Sequence, residues 1–426
     1  EDIVAFANKY LKEDNYAVIY KKQGKDPNEK KMTKPEITPI ITNRDVASPF
    51  LVEVQESAVK PIEPVFLDYQ KDMSQLKAKS DIPILYKQNV ANDLFQLIYV
   101  FDMGNNHDKA LGTAFDYLEY LGTSDMTPEE LKSEFYRLAC TFYVSPGNER
   151  TYVVLSGLNE NMPAAVQLFE KLLADAQVNK EAYTNMTSDI LKARSDAKLN
   201  QGQNFSRLMS FAMYGPKSPA TNLLTEAELT NMNPQELVDR IHNQNSYKHR
   251  ILYYGPSSSK DLLATINQYH QVPAALKDIP AGNEYAYLET PVTKVLVAPY
   301  DAKQIYMAQI SNLDKKYDPA IEPIRALYDE YFGGGMNSIV FQEMRETRGL
   351  AYSAWASIMP PSYLKYPYVL RTQIATQNDK MIDAVTTFND IINNMPESEA
   401  AFKLAKDGLT NRLRTERIIK GDIIWS

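Results

Sequence analysis

What most restricts the folds open to this chain is a succession of segments that comes round twice. The first pass predicts strands over 82–86 and 94–101, helices over 109–121 and 127–140, a strand over 152–155 and a helix over 164–173. The second predicts strands over 292–298 and 305–310, helices over 319–332 and 338–348, strands between 352 and 376, and a helix over 380–393. One helix pair makes the recurrence concrete. Val166, Phe169, Leu172 and Leu173 share one face, and Val385, Phe388, Ile391 and Ile392 repeat that spacing about 220 residues later. An apolar stripe of that width marks any helix packed on a sheet, so the order of elements around it carries the case for duplication.

The halves differ in how they finish. The first goes on through a helical region over 180–213, a helix over 234–244, a strand over 250–254 and a helix over 260–270. The second stops at Ile423-Ile424-Trp425-Ser426. Domains seldom end on exposed apolar residues, so this predicts a second domain without its last segment. Hairpin-length connections between strands, with helices interleaved, predict an α+β protein: two homologous domains, each a mostly antiparallel sheet with helices on one face. Neither GxGxxG nor GxxxxGK[ST] follows a strand, so dinucleotide and P-loop folds have no support.

Outside the repeats, residues 1–22 predict a helix (Ile3, Phe6, Ala7, Tyr10, Leu11) and a strand over 16–20, read as the tail of a preceding domain. Residues 23–60 read as an extended linker, lysine-rich at first and then punctuated by Pro35, Pro39 and Pro49. A chain of 426 residues exceeds one ordinary core. A net charge of −8 with interspersed signs disfavours a nucleic-acid partner. No run approaches the roughly 18 apolar residues of a membrane span. Cys140 is the single cysteine, which excludes an internal disulfide; its helical, apolar neighbourhood predicts a buried thiol.

A search for chemistry finds little. The four histidines, His107, His242, His249 and His270, form neither HExxH nor HxxEH, and read as surface polar residues. The informative stretch runs from Tyr331-Phe332-Gly333-Gly334-Gly335 through Asn337-Ser338 and Phe341 to Met344-Arg345, then Gly349-Leu350-Ala351-Tyr352-Ser353. Three glycines after a helix permit positive φ and expose backbone amides. Asn337 or Ser338 is placed to cap the next helix, with Phe341 and Met344 facing the core, and Gly349 to end it before Tyr352 opens a strand. Taken alone, this is a helix–turn–helix–strand connection with a surface arginine.

That stretch closely resembles the C-terminal signature of the pitrilysin/insulinase family of zinc peptidases. The resemblance covers some twenty residues, glycines included, and the repeat and linker extend it to nearly the whole chain. It implies four homologous α+β domains in two halves, joined by a hinge and closing around substrate. Residues 23–60 would be the hinge, 61–272 a third, inactive domain and 273–426 an incomplete fourth. It implies that Arg345 and Tyr352 hydrogen-bond the bound peptide and the transition state, beside the Gly333, Gly334 and Gly335 loop. Active members carry HxxEH on the helix where this chain has Phe115-Asp116-Tyr117-Leu118-Glu119-Tyr120-Leu121. Asp116 and Tyr120 stand in place of the two histidines and Glu119 in place of the base. The second repeat offers only Leu327-Tyr328-Asp329-Glu330-Tyr331.

The expectation is therefore the substrate-binding, non-catalytic C-terminal half of a zinc endopeptidase or oligopeptidase. It would bind no metal itself, and Zn2+ would sit in an N-terminal HxxEH half of the same polypeptide or a separate subunit. The rival expectations are a catalytically dead partner subunit and a structural scaffold. A bacterial periplasmic or envelope location goes with the family, with the cytoplasm left open.

Overall fold

The computed structural model describes residues 2–14, 16–22, 24, 30, 46–58, 60 and 62–426. Residues 1–40 form one unit and 41–426 another. In the first, Asp2–Tyr10 is a helix with no buried residue. The strand expected over 16–20 is absent: those residues are exposed and join no ladder. In the second unit the expected linker contains the helix Pro49–Glu56, whose start is fixed by Ser48 Oγ accepting from Leu51 N at 3.2 Å. Pro49 at the first helical position starts this helix where it was expected to prevent one. The Lys34–Pro39 part of the linker lies outside the described residues.

The first half is built on a six-stranded sheet ordered β1-β2-β6-β3-β5-β4. Its strands are β1 Ser74–Lys77, β2 Pro83–Gln88, β3 Leu94–Phe101, β4 Cys140–Pro146, β5 Thr151–Leu158 and β6 Arg250–Gly255. All neighbours are antiparallel except β2 and β6. The central strand reads LFQLIYVF because both faces of the sheet are covered. Phe95, Leu97, Tyr99 and Phe101 pack under the helices Leu111–Leu118, Met162–Asp175, Gln235–Asn243 and Ser259–Tyr269. Ile98 and Val100 face the other way, with Val154 and Leu252, against Ile424. Ile423 and Ile424 are buried and Trp425 lies 5.4 Å from the Tyr152 ring. This apolar end packs on the outer face of the first sheet.

Cys140 is buried as expected, but on a strand. The helix Pro128–Arg137 opens with a capping box between Thr127 and Glu130. It ends before Cys140 because Ala139 takes φ 48°, turning the chain into β4. The helical periodicity of Leu131, Phe135 and Leu138 ran into a strand that hides its start.

The second half has three antiparallel strands ordered β7-β9-β8: β7 Gln304–Lys316, β8 Ser353–Met359 and β9 Pro367–Gln377. That is the order β3-β5-β4 again. The helix Glu322–Phe332 follows β7, and Met381–Asn393 follows β9. A further helix, Glu399–Thr415, was not anticipated. The strand expected over 292–298 does not form, and Val295 is 82% exposed. In the first half β2 is held by β6, which lies between it and β3. No described strand lies beside β7 in that position, so Val292–Ala298 has nothing to pair with.

Candidate functional site

The glycine turn joins the helix Glu322–Phe332 to the segment carrying Arg345. Its glycines do not use positive φ, which among glycines of this region belongs to Gly349 alone, at 56°. Gly333 is needed for close approach: a Cβ there would stand 2.1 Å from the carbonyl oxygen of Ala356 on β8. Nor are the first two amides offered outward, since Gly333 N and Gly334 N both donate to Asp329 O, at 3.0 and 2.7 Å. Asp329 ties the same helix to β8. Its carboxylate accepts from Arg325 Nη1, Ser357 Oγ and Ile358 N at 2.8–2.9 Å. Burial holds its pKa above the ordinary value, against the opposing pull of those donors.

Ser338 caps the next turn, its Oγ accepting from Phe341 N at 3.3 Å. After Ile339–Phe341 the winding loosens into a π-helix over Gln342–Thr347. Met344 is fully buried as expected and receives both Leu350 N and Ala351 N on its carbonyl. Phe341 is only half-buried, because its ring does a second job. The Arg345 guanidinium carbon lies 4.9 Å from the centre of the Phe341 ring and 5.1 Å from that of Tyr352. Arg345 is thus held between two aromatic faces, with Glu346 Oε1 3.5 Å from its Nε. Tyr352 N donates to Ala375 O at 3.1 Å, anchoring the residue at the start of β8, while 75% of it stays exposed. The two side chains singled out from the sequence therefore meet, on open surface.

Asp116, Glu119 and Tyr120 lie at the end of the helix Leu111–Leu118, all exposed. Partial desolvation, then the Glu119 charge, raises the Asp116 pKa. Two carboxylates and a phenol lack the imidazoles a zinc site on one helix face requires. Among the described residues no three His, Cys, Asp or Glu side chains converge as metal ligands. Zinc does not fit here. The matching positions in the second repeat are structural: Glu330 pairs with Arg412 at 3.0 Å, and Tyr331 OH donates to Pro396 O at 2.9 Å.

The reading of all four histidines as surface residues is corrected. His242 is exposed and His107 half-buried, but His249 and His270 are buried. His270 Nδ1 lies 2.7 Å from Glu170 Oε1, and the two Nε2 atoms lie 2.8 Å apart. Glu170 also accepts from Asn245 Nδ2 and Gln271 N, both at 2.9 Å. Burial, then the charge of His270, depresses the His249 pKa to about 4. A signal was available: Glu170 sits on the apolar face that Val166, Phe169 and Leu173 define, where a carboxylate needs buried partners.

Two α+β sheets of one strand order, helices on one face of each, and an arginine–tyrosine pair after a glycine turn define a class: duplicated α+β domains with, among the described residues, no cluster of metal ligands. The family model described as the peptidase M16 inactive domain matches residues 251–409. A Rickettsia felis protein named an uncharacterized zinc protease is 20% identical over 263 residues, 58% of this chain and 60% of that protein. The peptidase M16 inactive domain from Pseudomonas fluorescens superposes with a TM-score of 0.62 at 17% identity, over 83% of this chain and 85% of that one. The periplasmic protease PqqL from Escherichia coli gives 0.68 at 14% identity, over 99% of this chain and 44% of that one. Residues 251–409 thus match the inactive-domain model of the peptidase M16 family, and the chain shares its fold with the solved M16 structures. It spans 60% of the length of the Rickettsia relative.

Proposed function

We propose that this chain is the non-catalytic, substrate-binding half of a zinc endopeptidase that cleaves short or unfolded peptides in an enclosed chamber. Zinc and its general base would come from an HxxEH half. On this reading residues 23–60 are the hinge, and 61–272 and 273–426 the third and fourth of four domains. The observation that carries it is Arg345 stacked between Phe341 and Tyr352 on open surface, with no carboxylate among the described residues closer than 3.5 Å. A guanidinium and a phenol held together donate to peptide carbonyl oxygens, and such bonds strengthen as charge builds on the oxygen. A purely structural role would give the pair buried partners, as Asp329 and Tyr331 have. A periplasmic or envelope location accompanies this reading, since PqqL is a periplasmic protease.

The test is binding of an unstructured peptide to this chain, followed by calorimetry. The native chain should bind without hydrolysing it, and an Arg345→Ala, Tyr352→Phe double variant should bind at least about tenfold more weakly. Unchanged affinity in the double variant would favour a scaffold. Hydrolysis by the chain alone would overturn the division of labour.

A further inference from the structure

Thr372 and Ile374 of β9 are fully buried towards the helices, so alternation places Arg371 and Gln373 on the sheet's other face. Register sets Trp355 of β8 opposite Gln373. The Arg371 guanidinium carbon lies 5.1 Å from the centre of the Trp355 ring, and its Nη2 donates to Gln373 Oε1 at 3.1 Å. Its Nε is buried and has no partner. Three other half-buried arginines close on carboxylates: Arg240 on Asp108 at 2.7 Å, Arg250 on Asp102 at 2.7 Å, Arg325 on Glu322 and Asp329 at 2.9 and 2.8 Å. Arg371 has none among the described residues, and neither does half-buried Arg194, which donates to Leu224 O at 2.7 Å instead; only Arg371 leaves a buried guanidinium nitrogen unmatched. Burial lowers its pKa, as expected for a cation partly withdrawn from water without a counter-charge. Such an arrangement costs free energy unless an anion completes it.

The cation also has a position. It is four residues along β9 from Ala375, whose carbonyl receives Tyr352 N–H. We propose that Arg371, backed by Trp355 and Gln373, takes a carboxylate of the bound peptide on the sheet face turned away from the helices, past the strand end that carries the Arg345–Tyr352 pair. This rests on the peptide-binding reading above. The planar fork of arginine suits a carboxylate, whether it is the peptide's C-terminus or an acidic side chain.

A Trp425→Phe background leaves Trp355 as the only tryptophan, because the chain has two. Three unstructured nine-residue peptides are titrated, followed by Trp355 emission and calorimetry. One has a free C-terminal carboxylate, one is its amide without acidic residues, and one is that amide with a single internal glutamate. At least one carboxylate peptide should bind about tenfold more tightly than the neutral amide, and only carboxylate peptides should shift the emission. The tighter of the two identifies the source. Arg371→Gln should erase preference and shift while keeping the amide's affinity, and Arg371→Lys should lose most of the preference. Equal binding of all three peptides by the native chain overturns the assignment, and that comparison stands even if Arg371→Gln fails to fold. A preference that survives in Arg371→Gln overturns it too. Binding of none of the peptides would instead bring down the peptide-binding reading, and this assignment with it.

Discussion

In the first half β3 has β5 on one side and β6 on the other; in the second β7 has β9 on one side and no described strand on the other. The first sheet is covered on both faces, by helices and by Ile424, and holds a buried Glu170–His270–His249 chain. The second has a smaller core and keeps its polar groups near the surface: Arg345, Tyr352 and Arg371. One strand order, used twice, surrounds a large core in one copy and on the proposed reading presents binding groups in the other. Substitutions that act on folding should therefore concentrate in the first half, and those that act on binding in the second.

The largest effect should come from Glu170→Ala. It leaves His270 buried without its carboxylate, and should cost about 3–5 kcal/mol in urea unfolding. Hydrogen exchange should show the loss confined to the first sheet. A loss below about 1 kcal/mol would show that the chain of buried polar groups contributes nothing special.

Next comes acidity. His249 has a folded-state pKa of about 4, below the ordinary 6.5. Between those values the unfolded chain binds a proton that the folded one does not, so stability rises with pH across that window and this contribution is flat above it. Going from pH 7 to 4 should remove about 3 kcal/mol through this residue. Urea midpoints at several pH values would show it, and His249→Gln should flatten that part of the profile.

In the second half, Gly333→Ala drives a Cβ into the Ala356 carbonyl, and should cost about 1–3 kcal/mol in a thermal melt while spreading the turn from β8. The smallest effect on stability should come from Arg345→Ala, which removes an exposed side chain and should move unfolding by no more than about 0.5 kcal/mol. A larger change would place Arg345 among the groups that hold the fold, and would blur the contrast between the halves.

Much of this was legible in the sequence. The repeated order emerged because apolar runs such as Leu94–Phe101 and stripes such as Val166–Leu173 are local and strong. Arg345 and Tyr352 were singled out by the family resemblance and not by spacing alone; they meet because one short segment carries both residues and the glycine that turns between them. The failures have physical causes of another kind. Val292–Ala298 has strand composition but no partner, and pairing is not a local property. Glu170, His249 and His270 come together across 100 residues, so no motif announces them. The glycines of the turn suggested freedom of φ, while Gly333 is required by the backbone of a strand that arrives later in the chain.

Ile424 covers Ile98, Val100, Val154 and Leu252, and a ribosome delivers it long after Leu252 has emerged. During synthesis the first sheet is therefore assembled with one side still wet and adhesive. Its maturation waits on the second half, and a nascent chain stalled between them would be a natural client for a chaperone or a seed for aggregation.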